Sequence, residues 1–184
     1  MKTKKICLIG IFCALSYGAM LISKLIPPIS GFLQYDAKDI IIVISGFLLG
    51  PLCTLAVSII EALLEMVTVS STGPIGLLMN IIATLSFCFT ASCIYKRKKS
   101  FTGAVISLAF GTIFLTVSML LWNYLITPMY MNIERKVVLQ MLPTVFLPFN
   151  IVKGSINSII TLILYKPVFK AFSKTNITKQ AGWQ

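Results

Sequence analysis

The sequence predicts an all-α integral membrane protein with six transmembrane helices and both termini cytoplasmic. Three observations carry that prediction. Mean hydropathy is +0.93, with 57% apolar and only 11% charged residues, a balance far from that of a soluble domain. Apolar runs recur near 6–26, 38–50, 51–69, 74–95, 102–126 and 144–166, and crossing a hydrocarbon core of roughly 30 Å takes about 20 helical residues. The basic residues gather at alternate connections, as cytoplasmic loops require.

The runs are continuously apolar rather than alternating, so helices are expected in preference to barrel strands. The first follows Met-Lys-Thr-Lys-Lys and carries no convincing A-x-A cleavage pattern, so it is read as a retained span rather than a signal peptide. The second is short and runs into Gly50-Pro51. The third carries Glu61 and Glu65, spaced i, i+4 and hence on one face, with Ser58 nearby. The fourth follows a turn signal, Thr72-Gly73-Pro74, and places Asn80 and Thr84 at the same spacing. The fifth ends in Trp122-Asn123-Tyr124. The sixth holds Asn150, Lys153 and Asn157, which at 100° per residue fall within about 60° of one another on one helix face, with Gly154 beside them.

Lys2, Lys4 and Lys5 precede the first span, Lys96-Arg97-Lys98-Lys99 joins the fourth and fifth, and Lys166, Lys170, Lys174 and Lys179 follow the sixth. Six crossings put all three clusters on one side. The net charge of +11 is therefore mainly a topology signal that also suits anionic membrane lipid. With no base-reading module among these flanking residues, no nucleic acid partner is expected. Two segments on the other side break the helical pattern: Pro27 to Asp39, read as a structured turn or short hairpin, and about Thr127 to Pro143, read as a loop. A single membrane domain over 1–184 follows, with a frayed tail after about Lys174.

Charged and amide side chains inside a bilayer cost about 2.5–3.5 kcal/mol each at a helix centre, so they face protein or a polar cavity. The bland alternative is interhelical glue worth about 0.6 kcal/mol per bond. Five or six such groups at similar depth, with aromatics alongside, favour a binding site. Recognition fits better than catalysis. The chain has no histidine, so no Ser-His-Asp or Cys-His constellation can form, and Glu61 with Glu65 lacks metal-ligand company. No catalytic residue, metal or resident cofactor is expected; an intramembrane acid or base at Glu61 or Glu65 is the enzyme alternative. The five cysteines lie in or beside apolar runs without a C-x-x-C pair, which suits packing rather than zinc or disulfides. On the first span, Gly10, Ala14 and Gly18 form a small-x-x-x-small series drifting only about 40° per step, a groove for a helix of this chain or of a partner.

Taken together, QYDAKDIIIVISGFLLGPL, GPIGLLMNIIAT, the KRKK-x-x-x-GAVI junction, WNYLITPMY and LPFNIVKGSINSIITLILYKP resemble, in order and spacing, the riboflavin-specific substrate-binding subunit (S component) of energy-coupling factor (ECF) vitamin transporters. The resemblance covers about residues 6–170. It implies a six-helix protein of a prokaryotic cell membrane that captures riboflavin, or FMN, near the outer face under the loop between the first two helices. It implies partners as well, a transmembrane coupling protein and two cytoplasmic ATPases, and release of the vitamin by toppling in the membrane. Substrate-binding roles would carry over to Asn123, Asn150 and Lys153, with Asn157 and Asn80, and with Tyr35, Asp36 and Tyr124 towards the loop. Partner contact would carry over to Gly10, Ala14 and Gly18, where the family's usual alanine pair stands as Ala14 with Gly18. Within the same architecture, pantothenate or a thiamin precursor is the alternative ligand, and a non-transport scaffold the alternative role.

Overall fold

A computed structural model describes residues 2–27, 33–69 and 73–173. Part of the expected Pro27–Asp39 turn, Thr72 of the turn signal, and the tail with Lys174 and Lys179 lie outside the described residues. Helices α1 (Lys2–Ser23), α2 (Lys38–Leu49) and α3 (Pro51–Thr68) come first. Then α4 (Gly73–Thr84) runs through a π-helical turn, Leu85–Phe89, into α5 (Thr90–Arg97). After α6 (Phe101–Met131), α7 (Arg135–Met141) passes through a second π turn, Leu142–Phe146, into α8 (Leu147–Ser173). Treating α4–α5 and α7–α8 as continuous gives six helical paths, all of them antiparallel to their neighbours in sequence. At one end Lys38 and Asn80 reach Glu65 and the Ala37 N–H donates to Ser23 Oγ. At the other end Phe47 stacks on Tyr95, and Tyr165 meets both Tyr95 and Phe101.

Five of these paths are long and apolar enough to cross a membrane: Thr3–Ser23, Pro51–Thr68, Gly73–Arg97, Phe101–Met129 and Arg135–Phe172. The sixth expected span, 38–50, is the exception. With 12 residues at 1.5 Å rise, α2 spans about 18 Å, short of the hydrocarbon thickness. Nearly every residue of α2 is buried by its neighbours, so it is the axle of the bundle and has little lipid-facing surface. Gly50 joins it to α3 at φ +98°, a left-handed geometry that favours glycine, and Pro51 then occupies the first turn of α3, where its missing N–H costs nothing.

The expected loop from about Thr127 to Pro143 is corrected. The α6 helix continues to Met131, α7 begins at Arg135, and the connection is Asn132–Glu134, with Asn132 in the left-handed conformation that closes a helix (φ 51°). Pro128 sits within the last turn of α6, and Pro143 falls in the π turn, where the widened hydrogen-bond ladder accommodates a residue lacking an N–H. The prolines that suggested a break are absorbed in helix.

The core runs along α2. Ile42, Val43, Phe47, Val57, Phe87, Ala91, Leu108 and Leu115 are fully or almost fully buried there. Outward-facing Ile11, Phe110, Ile113, Phe114, Ile159 and Ile163 are more than half exposed, a lipid-facing belt. Gly154 lets α8 approach α6: a Cβ there would lie 2.6 Å from Thr112 Cγ2. All five cysteines are free.

Candidate functional site

Two of the three polar residues expected on the sixth span, Lys153 and Asn157, meet the segment between α1 and α2. Lys153 Nζ lies 3.1 Å from Asp36 Oδ2 and 3.8 Å from Asp39 Oδ2. The Tyr35 hydroxyl donates to Asn157 Oδ1 at 2.7 Å, and Asn157 Nδ2 is 3.5 Å from both the Asp36 carbonyl and Asp39 Oδ2. Asp39 is held from its other side by the Thr84 hydroxyl at 2.9 Å. Leu33 anchors the same segment by packing on Val138 and Phe146, so residues 33–37 lie across the ends of α7 and α8.

Charge explains why this cluster is stable. Burial opposes ionisation of Asp36, but the ammonium groups of Lys153 and then Lys38 outweigh it and hold the carboxyl below its ordinary value. Burial, followed by the charge of Asp39, pushes the Tyr35 phenol up, so Tyr35 acts as a donor. The geometry brings together a lysine, two carboxylates, an amide and a phenol within one network, a mixture of donors and acceptors suited to a polyhydroxylated molecule.

Beside it lies a second cluster. Lys38, 0% exposed, pairs with Glu61 Oε2 at 3.2 Å and with Glu65. Glu65 also accepts from Asn80 and pairs with Lys24 at 3.3 Å. Three helices and the turn after α1 are thereby tied at one point. Of the expected site residues, Asn80 thus joins this ion-pair network. Asn123 and Asn150 are buried, and each donates to the carbonyl four residues back on its own helix, Met119 and Phe146, at 2.7 Å. Thr127 Oγ1 donates to Asn123 Oδ1 at 2.9 Å. These two amides are fixed by their helices rather than by each other, and Tyr124 is half-buried nearby in the chain.

Asp39, Lys38 and Lys24 escape a linear reading, which leaves Asp39 in a surface segment although it is 0% exposed. A signal was present nonetheless. Once the three basic clusters and the Arg135-Lys136 pair are set aside, Lys24, Lys38 and Lys153 remain, against five acidic residues in all. Those three lysines pair with Asp36, Asp39, Glu61 and Glu65.

The small-residue face of α1 is open. Gly10 and Ala14 are exposed, and no heavy atom lies within 4 Å of where a Cβ on Gly10 or Gly18 would stand. No helix of this chain occupies that groove among the described residues.

Three comparisons bear on these features. A family model described as the substrate-specific component of ECF transporters matches residues 4–165. The chain is similar to the riboflavin transporter FmnP of Bacillus subtilis strain 168, 28% identical over 174 residues covering 90% of this chain and 92% of that one. It is likewise similar to the riboflavin transporter RibU of Staphylococcus aureus strain TCH60, 29% identical over 174 residues and 90% of both chains. A solved structure of the S component of a bacterial ECF transporter superposes with a TM-score of 0.79 at 27% identity, covering 94% of this chain and 99% of that one.

Proposed function

Because the chain belongs to the substrate-specific components of ECF transporters, we propose that it captures riboflavin at the bundle end roofed by residues 33–37 and passes it inward with an ATP-driven ECF module. The observation that carries the reading is the meeting of Lys153 and Asn157 with Tyr35, Asp36 and Asp39, in a chain whose relatives are riboflavin transporters. An isoalloxazine ring is flat and apolar on its faces, with carbonyls and an N–H along one edge. Asn123 and Asn150 answer that edge. With Nδ2 of each tethered to its own helix, the amide plane is fixed; the second amide hydrogen can read an acceptor and a lone pair of Oδ1 a donor, the other lone pair of Asn123 being held by Thr127. The ribityl hydroxyls suit Lys153 and Asn157, whose present partners are the groups those hydroxyls would exchange with or bridge. Tyr124 supplies an aromatic wall, and Asn80 acts from behind through Glu65.

The same reading makes the chain one membrane domain with six crossings, α2 completing the count inside the bundle, and both termini on the cytoplasmic side of a prokaryotic plasma membrane. The basic clusters support that orientation. The open face of Gly10, Ala14 and Gly18 then receives a helix of the transmembrane coupling protein, which two cytoplasmic ATPases drive; the chain itself performs no catalysis.

The test is the visible spectrum of protein purified in mild detergent from cells grown with riboflavin, followed by quenching of flavin fluorescence on rebinding to stripped protein. A bound flavin and saturable one-to-one quenching are expected. A colourless protein that quenches nothing would sink the riboflavin assignment.

A further inference from the structure

We propose that the basic end of the bundle, opposite the ligand site, holds one anionic phospholipid by its phosphodiester. A cavity of about 150 Å³ opens there, lined by Lys5 of α1, Lys96 of α5 and Lys99 of the following turn, together with the Phe47–Gly50 end of α2 and Tyr95. Its volume is about five times the ~30 Å³ share of one liquid water, room for a phosphodiester with bridging waters. Among the described residues no acidic side chain lines it. Asp36, Asp39, Glu61 and Glu65 are committed to the ion pairs at the far end.

The walls are firm. Phe47 and Tyr95 stack at 4.0 Å, the Tyr95 hydroxyl bonds that of Tyr165 at 2.7 Å, and Gly50 turns the backbone between α2 and α3. What selects a lipid over a free anion is the surroundings. Ile6, one residue from Lys5, is 67% exposed, and Leu52, two residues from Gly50, is 78% exposed. A headgroup in the cavity would therefore lie beside apolar surface able to take its acyl chains, whereas a free phosphate would gain only the exposed lysines.

The experiment is native mass spectrometry of the full chain from mixed micelles holding equal phosphatidylglycerol and phosphatidylcholine. One phosphatidylglycerol should be retained, preferred about tenfold or more, since each basic residue near an anionic surface contributes roughly a fivefold factor. Lys5→Gln, Lys96→Gln and Lys99→Gln together should bring the preference to parity, Lys96→Gln alone should lower it, and the three arginine substitutions should preserve it. A control losing the same charge elsewhere, Lys4→Gln with Lys166→Gln and Lys170→Gln, should keep it. Parity in the unmodified protein, or equal loss in the control, would overturn the site. Displacement of the lipid by inorganic phosphate at fixed ionic strength would overturn the lipid assignment in favour of a bare anion.

Discussion

At the scale of single residues, Lys153 is the group on which the charge balance turns and, in the proposed reading, ligand recognition as well. Lys153→Met removes the cation facing Asp36 and Asp39; charged hydrogen bonds are worth about 1.5–3 kcal/mol, so riboflavin affinity should fall roughly 10–100-fold in a fluorescence titration. Asn150→Leu should weaken it as well, and unchanged affinity in both would remove α8 from the site. Asp36 sets the acid limit. Its carboxyl is held below the ordinary value by Lys153 and Lys38 despite burial, so its contribution is complete above the unfolded value of about 3.9 and is lost as pH falls through the lower folded one. Thermal stability and binding should accordingly show no Asp36 limb between pH 5 and 8 and decline only below about pH 4, a limb that Asp36→Asn should abolish. The stripe of Asn150, Lys153 and Asn157 was legible because helical angle follows from spacing alone. The partners of Lys153 were not, because whether Asp39 faces water depends on where α2 begins and on Thr84 lying 45 residues away in sequence.

At the scale of helices, spacing and composition placed the paths, and misjudged where α6 stops and where the last path starts. Pro128 and Pro143 read locally as breakers, whereas packing and a π turn carry the helices past them. The shortness of α2 was visible in the sequence, but its central burial is a property of the neighbours that enclose it. The α6–α8 contact gives a sharp test. Gly154→Ala puts a methyl 2.6 Å from Thr112 Cγ2 and 2.9 Å from its Oγ1, and overpacking of this kind costs about 1–3 kcal/mol. The melting temperature in detergent should drop and should recover in part when Thr112→Ala removes both atoms; additive losses would disprove the contact. Glu65 joins α2, α4 and the turn after α1 to α3, and Glu65→Gln leaves Lys38 with a single carboxylate partner. Breaking a buried pair costs about 3–5 kcal/mol, so this change should lower the melting temperature more than Gly154→Ala does.

For the molecule as a whole, the two ends of the bundle carry different duties, and one measurement separates them. Replacing Gly10 and Ala14 with leucine fills a groove that no described helix of this chain occupies. Riboflavin affinity should stay within about twofold, because distant sites act independently, while uptake by cells expressing the ECF module should be lost; loss of both together would place the groove inside the fold. The ion pairs also bear on how the chain is made. Lys24, Lys38, Glu61 and Glu65 all emerge within the first three helices, so their cluster can close while synthesis is still under way. Asp36 and Asp39 find Lys153 only on α8, 117 residues on from Asp36. Until then Lys38 and Lys24 are the cations that offset Asp36, and the segment before α2 lacks its tie to α8.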